Sequence, residues 1–274
     1  MKRLIWVPLL LLAGCGGGGT KGPTPDPVYD NAIDAGRSAF GLARYDQAAV
    51  QYEDAYRVAL RRDDAGAMAD AAYDLAAARL GAGKPASTLT ALDRAKTDLA
   101  IRGHGEPASL RLARAAAQLR LNDPLDARTT AAAVMSDPDA GIAERAAFLN
   151  GVAAARLGDG AGLEAALSRI GTGPKIDPLW AADRTELSAR LALLRGDLAG
   201  AQRQAADAAS QRQALLDYRG MRDSLGVEAD AAQRAGNMML AAALRQQVAQ
   251  SAASETQAPT QSTVQIHSSG AGAD

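Results

Sequence analysis

The sequence predicts an all-α fold, a right-handed α-solenoid of about six helical hairpins, and three observations carry that prediction. Between Tyr29 and about Ser251 apolar residues recur at helical spacing, and no stretch shows the alternation of β-branched residues that a half-buried strand requires. Chain-breaking turns recur at a near-constant interval. With Ala43, Gly83, Asn122, Gly158, Gly196 and Gly236 taken as equivalent, successive offsets are 40, 39, 36, 38 and 40 residues, the range of stacked helix-hairpin repeats. The prolines respect the partition: Pro85, Pro107, Pro124, Pro138, Pro174 and Pro178 fall in turns or at helix starts, where a missing amide hydrogen costs little.

In chain order, the first element is a leader. Lys2 and Arg3 precede the nine-residue apolar run Leu4 to Leu12, which contains Pro8. A bilayer-spanning helix needs about 20 apolar residues, so the run reads as a secretion signal that is removed. Leu12-Ala13-Gly14-Cys15 follows without a charge. This segment resembles a bacterial lipoprotein signal. The resemblance implies removal of residues 1–14, diacylglycerol on the Cys15 thiol and acylation of the new amine. The alternative is an ordinary secretory signal with a chance cysteine. Three acyl chains would hold the protein stably, where one chain binds only marginally. The residue after the cysteine is Gly16 and not an acid, which by the same resemblance implies the outer membrane, with the folded part facing the periplasm. Residues 15–27, rich in Gly and then Pro, form a tether that is flexible first and extended later.

The composition of the remaining chain excludes several classes of function. The sequence carries 30 basic and 31 acidic residues, and loss of Lys2 and Arg3 with the leader leaves 28 against 31. Nucleic acid is therefore not an expected partner, because phosphate binding needs a concentrated basic face. Apolar residues make up 47% of the chain but aromatic residues only 4%; much of the rest is alanine, which favours helices and lets them approach closely. With one cysteine no intrachain disulfide can form, so packing alone holds the fold.

The repeat domain spans 28–251, and its first hairpin has the most distinctive pattern: Gly36, then Tyr45, Ala48, Tyr52 and Ala55. A small residue in the first helix admits the second helix closely, and the aromatic rings fill the gap. This pattern resembles a tetratricopeptide repeat (TPR). The fourth hairpin repeats it with Asn150-Gly151, Gly158-Asp159, Leu163 and Leu167, the fifth with Ala189, Gly196-Asp197, Ala201 and Ala208, and the sixth with Ala229, Gly236-Asn237 and Ala241. The second and third hairpins fit less well, and most spacings exceed the family's 34 residues. Asp123-Pro124, Asp137-Pro138 and Asp177-Pro178 read as N-caps followed by the first helical residue, and Asp63-Asp64 reads as a helix start. Stacked hairpins are expected to share one continuous core.

The resemblance also implies a concave surface lined by the first helix of each hairpin, through the residues three before and four after its small packing residue. That maps to Ile33 and Phe40, Tyr73 and Leu80, Leu112 and Leu119, and Phe148 and Ala155. In the last two hairpins the same offsets give Glu186 and Leu193, then Gly226 and Gln233. An apolar lining over the first four hairpins suits an amphipathic helix or an extended segment with hydrophobic anchors. The alternative is that these residues pack between neighbouring helices.

No residues suggest catalysis, a metal or a cofactor. His104 lies in a linker and His267 in the tail, too few and too far apart for a His/Cys metal cluster or a Ser-His-Asp site. Trp180 reads as a core plug. Gly158 to Gly160 is too short for a phosphate loop. Residues 252–274, rich in Ser, Thr, Gln, Ala and Gly, read as a disordered tail. The expected function is a noncatalytic scaffold whose partners are envelope proteins or peptide segments, in the manner of pilotins and pilus-assembly factors. Adaptors for outer-membrane barrel assembly or cell-wall hydrolases, and a structural lipoprotein without a groove, are the alternatives.

Overall fold

A computed structural model describes residues 26–173 and 175–257, and these residues are folded into helices and turns. Cys15, the rest of the leader, most of the tether, Pro174 and residues 258–274 lie outside the described residues. In order the helices are α1 (Pro27–Gly41), α2 (Tyr45–Arg61), α3 (Ala65–Gly81), α4 (Pro85–Ile101), α5 (Ala108–Arg120) and α6 (Pro124–Ala132). There follow α7 (Ala140–Arg156), α8 (Gly160–Arg169), α9 (Pro178–Arg195), α10 (Leu198–Ala214), α11 (Tyr218–Arg234) and α12 (Met238–Gln257). Six hairpins result, with no strand among the described residues.

The six turn residues chosen as equivalent share one backbone state. Ala43, Gly83, Asn122, Gly158, Gly196 and Gly236 all have positive φ, between 55° and 82°. Each ends the first helix of a hairpin in the left-handed conformation that reverses the chain.

Aspartates cap many of the helices. The side chains of Asp64, Asp123, Asp159, Asp197 and Asp217 each accept from the amide three residues on, satisfying one orphan donor of the first turn. Asp177 caps α9 as expected. The Asp137-Pro138 expectation is corrected: α7 begins at Ala140, capped by Asp139, whose Oδ1 accepts from Gly141 and Ile142. Asp137 instead accepts from the Asp139 amide at 3.0 Å, ordering the approach to the cap.

Glycine permits close helix approach where the sequence placed it. A Cβ at Gly36 would lie 2.5 Å from the Tyr52 ring, and one at Gly151 would lie 2.7 Å from the Leu187 side chain. Each hairpin pairs its two helices, and each also packs against the next. In addition α3 packs on α5, α5 on α7, α7 on α9 and α9 on α11, with no comparable packing among even-numbered helices. In a curved two-layer stack the closer-spaced layer is the inner one, so the odd-numbered helices form the concave layer of an α-solenoid.

The core departs from the continuous apolar spine expected. One cluster runs from Ala32 to Ala113 and a second from Ala115 to Leu191. A separate small cluster of Ala209, Met221, Leu225, Ala229 and Leu244 serves the last hairpins. A fourth, of Ala189, Ala205 and Val227, lies in α9–α11, the helices that also bury Asp183, Glu186, Arg212 and Ser224.

The C-terminal boundary also differs from expectation. α12 continues six residues past Ser251 to Gln257, and Glu255 within that extension touches the other end of the solenoid. Its carboxylate accepts from the Tyr45 hydroxyl at 3.1 Å.

Candidate partner-binding surface

The inner helices place the predicted lining residues in two environments. Ile33, Leu119 and Phe148 are buried within the hydrophobic clusters, with only an edge of Ile33 reaching an open hollow. Phe40 is 38% and Tyr73 43% exposed, while Leu80 and Leu112 are half-buried. The apolar stripe is therefore interrupted. Its exposed members, Phe40 and Tyr73, belong to the first two hairpins, and at Leu119 and Phe148 it turns into core.

Around the exposed aromatics the surface is charged. Tyr29, Asp30, Asp34, Arg37, Asp70 and Asp74 surround Ile33 and Tyr73 in an open hollow of about 460 Å³. Burial, chiefly, raises the Asp74 carboxyl above its ordinary range, with Asp70 adding repulsion against the opposing pull of Arg37. Burial likewise pushes the Tyr29 hydroxyl up to about 12, reinforced by Asp70 and Asp74. That hydroxyl donates to the Ala67 carbonyl at 3.2 Å. The hollow is thus an acidic pocket with an aromatic rim, a feature the apolar offsets missed because the aspartates lie on neighbouring positions of the same helices.

Further along the inner layer the sign changes. Arg120 and Arg156, the last residues of α5 and α7, are exposed, and Arg156 Nη1 donates to the Leu119 carbonyl at 2.5 Å. Although Arg156 is exposed, the inner helices around it partly dehydrate its guanidinium and hold it below its usual range, and the like charges of Arg190 and Arg120 add to that. Asp223 on α11 supplies a nearby counter-charge; although it is exposed, its carboxyl is raised, first by dehydration among the surrounding inner helices and then by Glu186.

Beneath this surface the inward Glu186 is the centre of a buried network. Its carboxylate accepts from Arg190 at 2.7 Å and from Arg212 Nε at 3.1 Å, and from the Ser224 hydroxyl at 3.2 Å. Arg212 also donates to Asp183 at 2.6 Å and to Asp217 at 2.7 Å. Arg145 and Arg212 lie over the Phe148 ring, at 4.6 and 5.2 Å from its centroid. Phe148 thereby joins the apolar core to the ionic one. Burial would raise the Glu186 carboxyl, but Arg190 and Arg212 outweigh it and hold it low; at Asp183 burial prevails over Arg145 and Arg212.

The other residues singled out by sequence have plain positions. His104 is exposed in the α4–α5 linker, and Trp180 packs partly buried on the second cluster. Among the described residues no group of three or more His, Cys, Asp or Glu could hold a metal ion. No described helix is long and apolar enough to cross a membrane.

No family model matches the chain, and no curated protein matches it. Among solved structures the chain is similar to a TPR repeats protein from Bacteroides fragilis, at 16% identity and a TM-score of 0.32, over 83% of this chain and 99% of that one. The assignment as an α-solenoid stands on the helix order, turns and packing of this chain.

Proposed function

We propose that this protein is a noncatalytic protein-interaction scaffold, held at the outer membrane by lipid on Cys15 and facing the periplasm, where it serves as an adaptor or assembly factor for an envelope machine, in the manner of a pilotin or pilus-assembly factor. The observation that carries the scaffold reading is the inner layer. First helices stack there from α3 to α11, and the layer exposes Tyr73 beside Asp30, Asp34, Asp70 and Asp74, exposes Phe40 at the end of α1 and presents Arg120 and Arg156 farther along. Aromatic anchors set among charges bind a segment through buried area and select it through charge. The anchoring reading is supported by Leu12-Ala13-Gly14-Cys15 and the uncharged run before it.

Two experiments test the two parts. Mass spectrometry of the mature amino terminus should find an acylated Cys15, and the protein should fractionate with outer membranes; an unmodified terminus elsewhere removes the anchor. Tyr73→Glu places a charge on a side chain that is already 43% exposed, so the thermal midpoint should change little while recovery of partners from membranes falls. Recovery equal to wild type would favour the structural lipoprotein without a groove.

A further inference from the structure

The ends of the solenoid meet through side chains of α11 and α12 that reach Tyr45 and the end of α3. Arg219, at the start of α11, donates Nη1 to the Leu80 carbonyl at 2.9 Å and Nη2 to the Gly81 carbonyl; both are terminal acceptors of α3, and that of Leu80 also takes the Gly83 amide at 3.1 Å. Its guanidinium lies over the Tyr45 ring, 5.0 Å from the centroid. The same group donates to Glu255 Oε1 at 3.1 Å, and Arg222 donates to Glu255 Oε2 at 2.5 Å. The apolar clusters of the two ends remain separate. Two arginines share one carboxylate here, since the neighbouring Asp217 is engaged by Arg212 and Asp46 by Lys84. Beside this seam is an open cleft of about 750 Å³, whose walls include Tyr45, Tyr218, Gln250 and Ser254.

We propose that this seam is a docking site for an acidic peptide segment, whose carboxylates replace Glu255 on Arg219 and Arg222 and release α12 from the first hairpin. The inference rests on the partner-binding reading above but places this contact away from the Tyr73 hollow. Three features argue for that occupant. The seam holds one positive charge in excess, and both guanidiniums present the fork that receives carboxylates in two-bonded geometry. The adjoining cleft is walled by tyrosines, glutamines and serines that can hydrogen-bond an extended backbone. Glu255 already occupies the anion position, so it acts as the internal competitor.

The test uses the full chain carrying Cys15→Ser and a fluorescein-labelled deca-glutamate peptide, with binding read by anisotropy at fixed ionic strength. Saturable binding is expected. Glu255→Gln, which removes the competing charge, should tighten it about threefold or more, and Arg219→Ala with Arg222→Ala should weaken it about tenfold or more. Equal or weaker binding by Glu255→Gln overturns the proposal, as does undiminished binding by the arginine variant. If circular dichroism shows that the arginine variant is unfolded, the Glu255→Gln comparison decides alone. Tyr73→Glu should leave the affinity unchanged within about twofold; a large loss there would place the peptide in the inner hollow and sink the seam. Failure of partner capture through Tyr73 would leave the peptide result standing.

Discussion

Arg212 is a buried cation shared by three carboxylates. It is 1% exposed and donates to Asp183, Glu186 and Asp217. Arg212→Met keeps an unbranched side chain but leaves Asp183 and Glu186 buried without their shared cation. Removing one partner of such a network costs about 3–5 kcal/mol, so the urea midpoint should fall sharply without a change of helical content. A loss under about 1 kcal/mol would mean that Arg145 and Arg190 suffice. A second residue-scale expectation concerns Leu216, an exposed non-glycine residue with φ of 59°. The left-handed state costs a branched side chain about 1–2 kcal/mol, so Leu216→Gly should raise the thermal midpoint despite glycine's larger unfolded-state entropy. Half of this picture was legible in the sequence. Glu186 stood out as an acid at an inward offset, but Arg212 is 26 residues away in an alanine-rich second helix, where a lone arginine reads as solvated.

Two glycines inside helices make opposite predictions about the elements that contain them. Gly151 in α7 faces the side chain of Leu187 in α9, so an added methyl would sit 2.7 Å from a buried carbon. Gly151→Ala gains about 1 kcal/mol of helix propensity against about 1–3 kcal/mol of overpacking, and denaturation should show a net loss. Gly226 in α11 has nothing within 4 Å of such a methyl, so Gly226→Ala should stabilise by about 0.5–1 kcal/mol. The helices themselves were legible because the determinants are local. Left-handed turn residues, aspartate caps and prolines act within a few residues of where they stand, and the six turn positions and the caps of α6 and α9 followed from them. Asp137-Pro138 misled because a second aspartate two residues on, with no proline after it, takes the cap. The lining residues were legible as an inner layer but not by burial: whether Phe148 or Tyr73 is covered depends on how tightly successive first helices close, and that is set by distant partners such as Leu187.

At the scale of the whole molecule the closure of the solenoid depends on contacts 138 to 210 residues apart. No periodicity or spacing in the sequence encodes them, and Glu255 itself lies in the last residues of α12, past Ser251, where the composition reads as tail. The pH response of that closure follows from the same carboxylate. Burial would raise the Glu255 carboxyl, but Arg219, Arg222 and the Tyr45 hydroxyl outweigh it and hold it below the ordinary range. A carboxylate whose folded-state pKa is depressed contributes its stabilisation fully above the unfolded value, about 4.3, and loses it as pH falls through the depressed one. The seam should therefore stay closed at neutral and mildly acidic pH and loosen only below the ordinary glutamate range. Since Arg219, Arg222 and Glu255 all retain some exposure, high salt should loosen it as well, by screening. Spin labels at Gln47→Cys and Gln250→Cys in the Cys15→Ser chain report the end-to-end distance. One narrow, short distribution is expected from about pH 7 to about pH 5, with a broad, longer one below about pH 4. Glu255→Gln should broaden the distribution at every pH. A distance that stays narrow in Glu255→Gln would mean that Arg219 on the Leu80 and Gly81 carbonyls holds the ends together without the carboxylate.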